Sequence, residues 1–127
     1  MSLDDFTEKI AGDIIHIALG VHKTLGPGLL ESAYKECLYF ELHTNGFKVE
    51  KEKLIPLTYK NIILDCGYRA DLVVQERILI ELKSVEELMS IHLAQMLTYL
   101  RIGGYRLGFI MNFNVELFKN GIKRVVL

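Results

Sequence analysis

The sequence predicts an α+β fold, on three observations. Apolar residues recur every three or four positions over two N-terminal segments, the spacing of one helical stripe. Between Lys48 and Lys83, runs rich in β-branched and aromatic residues are separated by turn signals, as strands are. One more helical pattern and two closing strand-like runs complete the chain, without repeats or low-complexity segments.

Phe6, Ile10, Ile14, Ile17 and Val21 define a first helix from about Leu3 to Thr24, stopped by Gly26-Pro27. His16 and His22 lie on it with no ligand partner at nearby spacing, so both read as surface or partly buried histidines. A second helix spans about Leu29 to Thr44, with Leu30, Ala33, Tyr34, Cys37, Leu38 and Leu42 apolar and Asn45-Gly46 as its stop. Glu31 shares a face with Tyr34 and Leu38, which puts an acid at the edge of the apolar stripe. The helix dipole favours an acid near an N-terminus; a third acidic group reaching a metal site is the alternative.

Strands follow at about Lys48–Glu50, Lys53–Tyr59 and Ile62–Asp65, with Lys60-Asn61 as a turn and Gly67 as a bulge or corner. The next pair is Tyr68–Val74 and Ile78–Lys83. A third helix lies within Val85 to Ile102, capped at Ser84 with Glu87 three residues on, or at Ser90, and ended by Gly103-Gly104. Gln95 and Tyr99 sit one turn apart on it, and Gln95 is either a solvent-side residue or a hydrogen-bonding group facing the same site as Lys83. Tyr105–Asn112 reads as a buried strand, and Asn120-Gly121 as the turn before a terminal strand, Ile122–Leu127.

The pair at 68–83 carries charge where a sheet core needs none. Alternation puts Leu79, Glu81 and Lys83 on one face of their strand. A three-residue loop, Gln75 to Arg77, pairs Val74 with Ile78 and sets Asp71 opposite Glu81, with Arg69 on Asp71's face. A two-residue loop would send the two carboxylates to opposite faces, but no Gly or Asn favours the primed turn there. Facing carboxylates repel by about 4 kcal/mol at about 4 Å and an effective dielectric near 20, so something positive belongs between them. Lys83 is one candidate. A hard divalent cation is the better one, since Mg²⁺ takes one or two carboxylates plus waters and leaves room for a phosphate.

A chain of 127 residues reads as one domain, residues 1–127. Half its residues are hydrophobic and the mean hydropathy is +0.24, which implies a dense core or apolar surface covered by a second copy, so a homodimer is consistent. No run of eighteen apolar residues exists. The start, Met1-Ser2-Leu3-Asp4-Asp5, is acidic and lacks the pattern of a secretory signal, so no membrane span and a cytoplasmic location are expected. Cys37 and Cys66 fit no metal or redox spacing. Net charge is −1, which excludes a protein that coats nucleic acid indiscriminately. Residues 101–127, however, hold Arg101, Arg106, Lys119, Lys123 and Arg124 against Glu116 alone, and either form a phosphate-facing patch or are ordinary solvated charge.

Leu25 to Tyr34 contains G-x-x-E-x-x-Y at Gly28, Glu31 and Tyr34, and this resembles the GxxExxY family of the PD-(D/E)xK nuclease-like superfamily. The resemblance continues through Gly67-Tyr68-Arg69-Ala70-Asp71, Glu81-Leu82-Lys83, Gln95-Met96-Leu97-Thr98-Tyr99-Leu100 and Asn112-Phe113. It implies a central mixed sheet flanked by helices, the restriction-endonuclease-like core. It further implies Asp71 and Glu81 as metal ligands, Lys83 as the catalytic lysine, Glu31 as the helix-borne acid and Gln95 as a site residue.

The activity that follows from this resemblance is Mg²⁺-dependent hydrolysis of phosphodiester bonds in DNA or RNA, with Mn²⁺ as the alternative ion. Asp71, Glu81 and the Leu82 carbonyl would hold the metal, with Glu31 acting through a metal-bound water. Lys83 would orient the attacking water or neutralise charge on the phosphate. Tyr34, Gln95 and Tyr99 would position groups around it, and Arg69 would contact phosphate or pair with a carboxylate. The alternative is a nuclease fold retained as a non-catalytic module for nucleic-acid binding or homo-oligomeric assembly, its acidic cluster occupied by Lys83.

Overall fold

The computed structural model describes residues 3–127, so Met1 and Ser2 of the acidic start lie outside the described residues. Helix α1 (Asp5–Leu25) begins after Asp4, whose Oδ1 accepts the Thr7 N–H at 2.7 Å and satisfies one of the free donors of the first turn. It ends at Gly26, where φ is +68 and the N–H donates to the His22 carbonyl. Ile10, Ile14 and Val21 are buried as their spacing predicts, together with Ala18, whereas Phe6 of the predicted stripe is exposed and Ile17 only partly buried.

Helix α2 (Glu31–Thr44) starts two residues later than the apolar pattern suggests. Gly28 has φ +104, and the Leu29 N–H donates to Tyr34 Oη, so the chain turns before it coils.

Strands β1 (Val49–Tyr59) and β2 (Ile62–Val74) form one long hairpin rather than four short strands, turned by Lys60-Asn61, both with positive φ. The predicted break at Gly67 is a bulge. The register between β1 and β2 shifts between Ile55 and Leu57, and Pro56, which has no N–H for a ladder, occupies the shift. A Cβ on Gly67 would land on the Ile55 carbonyl oxygen. Gly67→Ala is therefore expected to cost about 1–3 kcal/mol by overpacking, read as a lower urea midpoint with unchanged slope.

Strand β3 (Ile78–Lys83) returns through the three-residue loop, pairing Val74 with Ile78, Val73 with Leu79 and Leu72 with Ile80. Helix α3 (Ser90–Gly103) then crosses over to β4 (Leu107–Asn112), which lies parallel to β3, as a parallel pair requires. Neither Ser84 nor an N-cap Ser90 starts α3. Met89 holds the cap position, its N–H donated to His92 Nδ1 at 2.9 Å, while Ser84 Oγ donates to the Leu29 carbonyl. A short 3₁₀ turn (Phe118–Asn120) leads to β5 (Ile122–Val126), antiparallel to β4.

The five strands form one mixed sheet in the order β1-β2-β3-β4-β5. One face packs against α1 and α2 through Leu72, Ile80, Leu82, Phe109 and Met111. The other packs against Met96 and Leu100 of α3 through Val73, Leu79 and Ile110. Covered on both sides, β3 and β4 are apolar almost throughout. This is the α+β, restriction-endonuclease-like arrangement that the sequence predicts. Among the described residues, no helix is long and apolar enough to cross a membrane.

Candidate active site

The central strand β3 is wholly buried from Ile78 to Ile80, and Glu81 is the first residue to carry an ionisable group into that interior. The ladder between β2 and β3 stops at Leu72–Ile80, one step before Asp71 and Glu81. In place of a backbone carbonyl, Asp71 Oδ2 accepts the Leu82 N–H at 2.8 Å, filling the gap where the strands part. A strand residue points its N–H and C=O to the same side, so the Leu82 carbonyl also faces this opening.

The two acids do not simply project from one face, as strict alternation requires. Tyr68 and Ala70 pack with the α3-side cluster, Leu72 with the other, and Asp71 lies at the changeover. Across the hairpin, level with Asp71, Glu52 stands between the pairs Lys51–Leu72 and Lys53–Ala70 with a left-handed φ of +53. Asp71 thus sits in the opening itself. Glu81, two residues after Leu79, comes from the α3 side. Arg69 faces away from Tyr68 and Ala70; it is exposed, and its charge acts on Glu52.

Burial, then the neighbouring Asp71 carboxylate, pushes the Glu81 carboxyl up to about 9, while the Lys83 ammonium acts in the opposite direction. Glu81 Oε1 is buried without a hydrogen-bond partner. Tyr68 Oη is in the same condition, and burial followed by the Glu81 charge raises the phenol well above its ordinary value. The two groups are near enough to act on each other, yet neither orphaned oxygen completes a hydrogen bond. The Tyr68 ring is stacked on Tyr99 of α3, centroids 3.4 Å apart and planes 17° from parallel.

Lys83, on the face of Glu81 and half-buried, makes no ion pair among the described residues. The cation at Asp71 is Lys35 of α2, its Nζ 4.0 Å from Asp71 Oδ1 and 2.9 Å from Glu52 Oε1. The Glu52 hydrogen bond raises the Lys35 ammonium above its ordinary value against the cost of burial, and Asp71 adds to the rise. Of the side chains, Lys83 is the one the sequence offers as an alternative to a divalent ion between the acids; Lys35 reaches Asp71 instead, from α2 packed against this part of the sheet.

Tyr34, expected to position groups around the site, does not face it. It is fully buried, its hydroxyl donates to the Gly26 carbonyl at 2.6 Å and accepts from Leu29, and its ring stacks on Phe113. It shapes the loop before Glu31 and has no surface for substrate. Glu31 is exposed, in a cleft of about 310 Å³ with Gly28, Leu29, Leu30, Ser84 and Asn114, next to the end of β3. Among the described residues no three His, Cys, Asp or Glu side chains converge as a metal cluster, so Glu31 does not join Asp71 and Glu81 directly. Gln95 is half-buried one turn before Tyr99, its amide free of hydrogen bonds to other described residues.

Buried Asn112 anchors the segment after Lys83: its Oδ1 accepts from Val85 and Asn114, and its Nδ2 donates to the Val85 carbonyl. The Phe113 N–H donates to the Lys83 carbonyl at 3.0 Å. A concavity of about 620 Å³ between α1 and α2, lined by Ile17, Val21, Cys37 and Phe40 among others, holds none of these residues. The basic C-terminal stretch does not form one phosphate-facing patch either. Lys123 and Arg124 are adjacent on β5 and so face opposite sides, and Arg124 is held by Glu8 at 2.9 Å.

Sequence reasoning missed Lys35, Glu52 and Tyr68. Lys35 follows Glu31 by four positions and so shares its helix face, which was a usable signal. Glu52 gave none, because no local preference predicts a left-handed glutamate. Tyr68 lies inside the Gly67–Asp71 motif, where an aromatic on a strand reads as core.

The donor set suits a hard divalent cation: two carboxylates, one with an orphaned oxygen, beside a carbonyl facing the same opening. No curated protein and no solved structure matches the chain. A sequence profile of the PD-(D/E)XK nuclease superfamily matches residues 8–125, a span that holds Asp71 on a parted strand and Glu81-Leu82-Lys83 on the one beside it. The chain belongs to the PD-(D/E)XK nuclease superfamily.

Proposed function

We propose that this chain is a Mg²⁺-dependent nuclease, with Mn²⁺ able to substitute, that hydrolyses phosphodiester bonds of DNA or RNA in the cytoplasm, and that it falls in the GxxExxY branch of its superfamily. The observation that carries the reading is the opening between β2 and β3, where Asp71 is held on the Leu82 N–H and Glu81 keeps an oxygen with no partner. Asp71, Glu81 and the Leu82 carbonyl would hold the cation. Such an ion, when bound, polarises a phosphate oxygen and makes water a better nucleophile.

The chain's own groups do the rest. Lys83, without an ion pair among the described residues and on the face of Glu81, orients the attacking water or offsets charge growing on the phosphate. Glu31 acts through a bridging water from the cleft beside Ser84. Gln95 and Tyr99, one turn apart, line the approach from α3, and exposed Arg69 meets the phosphate backbone. A second copy would pack on Met89, at the cap of α3, and on Ile91, Leu93 and Leu97 of the helix, all exposed.

A non-catalytic module is the second reading, and Lys35 favours it, since the protein already supplies a cation at Asp71. Incubation with Mg²⁺ or Mn²⁺ and single- or double-stranded DNA and RNA separates the two. Wild type is expected to cleave, and Lys83→Ala to cleave about 10²–10³-fold more slowly. Undiminished cleavage in both Asp71→Ala and Lys83→Ala would remove this site from consideration.

A further inference from the structure

Two complementary polar atoms lie buried and unused beside the proposed metal site. Tyr68 Oη and Glu81 Oε1 both lack a hydrogen-bond partner. A buried polar atom without a partner costs about 1–3 kcal/mol, and such atoms are rare in folded proteins, so two in one place point to a state in which they are satisfied. The chemistry of each identifies that state. An ionised carboxylate only accepts, and a phenol can donate. A carboxylate that gives one oxygen to a metal has its other oxygen left to be held by the protein, and such outer partners set the ligand's orientation.

We propose that Tyr68 is a positioning residue of the metal site, donating its phenol proton to Glu81 Oε1 when the Glu81 carboxylate takes up a divalent cation, with the stacked Tyr99 ring keeping the phenol aimed. This rests on the reading of Asp71 and Glu81 as the metal site. The stack leaves Tyr68 little freedom to swing, because its ring lies against Tyr99 at 3.4 Å and packs with the α3-side cluster. Its O–H, by contrast, turns about the C–O bond without disturbing the ring.

Tyr68→Phe keeps the ring and removes only the hydroxyl. Calorimetric titration with Mn²⁺, on metal-free wild type, Tyr68→Phe and Asp71→Asn, measures affinity independently of turnover, and melting in chelator measures the fold. The expected result is that Tyr68→Phe binds Mn²⁺ at least about 10-fold more weakly than wild type, as loss of outer-shell partners does. Its metal-free midpoint should equal or exceed that of wild type, because an unsatisfied buried hydroxyl has been removed. Equal Mn²⁺ affinity in wild type and Tyr68→Phe, with Asp71→Asn not binding, would overturn the role of Tyr68 and leave the site standing. A lowered metal-free midpoint in Tyr68→Phe would also overturn it, since the weaker binding would then follow from packing. Wild type failing to bind Mn²⁺, or Asp71→Asn binding as well as wild type, would overturn the site and this proposal together.

Discussion

Asp71→Asn is expected to abolish cleavage while leaving the fold intact. The asparagine carbonyl oxygen can still accept the Leu82 N–H, so the opening between β2 and β3 remains filled. What disappears is the negative charge, and with it the hold on a divalent cation, whose contribution to phosphodiester hydrolysis is several kcal/mol. The loss in single-turnover rate should be on the order of 10³-fold or more. Stability should move little near neutral pH, because Asp71 then faces a protonated Glu81 and gives up only a partly screened attraction to Lys35 at 4.0 Å. At alkaline pH the variant should melt above wild type, since wild type must ionise Glu81 beside Asp71. Cleavage at the wild-type rate by Asp71→Asn would refute the proposed chemistry. A collapsed midpoint at pH 7 would show that Asp71 serves the fold more than the site.

The second large effect is on stability against pH, measured in chelator. Folded Glu81 keeps its proton up to about 9, whereas an unfolded glutamate releases it near 4.5. Between those values the folded state binds one more proton than the unfolded state, so the free energy of unfolding falls as pH rises. The slope from this group is at most about 1.4 kcal/mol per pH unit. The stabilisation is complete below about 4.5 and gone above about 9. Glu81→Gln should flatten the decline, because a neutral amide occupies the same place without titrating. Adding Mn²⁺ should reverse the trend in wild type, since the ionised carboxylate is the ligand and binding becomes stronger as protons leave. A wild-type midpoint as flat as that of Glu81→Gln over pH 5 to 9 would show that Glu81 is already solvated or paired.

Much of the fold can be read along the chain because its signals are local. The stripe from Ile10 to Val21, the turn at Lys60-Asn61 and the bulge at Gly67 each depend on a few adjacent residues, and the structure has all three. The start of α3 was not legible, since the cap comes from a histidine ring, His92 Nδ1, on a Met89 N–H, and Ser84 is drawn away to the Leu29 carbonyl. The facing of Asp71 and Glu81 was half legible. The three-residue loop sets the register, but alternation along β2 fails at Asp71, opposite a left-handed Glu52 on β1.

By itself the sequence determined the strands that carry Asp71, Glu81 and Lys83, and that a three-residue loop brings Asp71 and Glu81 level on neighbouring strands. Periodicity and loop length suffice for that, because both act over a few residues of one chain segment. Only the tertiary structure decided that Lys35 comes to Asp71, that Tyr34 is spent on the Gly26 carbonyl, and that Tyr68 and Glu81 are left with unpaired oxygens side by side. Those outcomes depend on how α2 and α3 lie across the sheet. Helix placement follows from packing of the whole core, which no local pattern encodes.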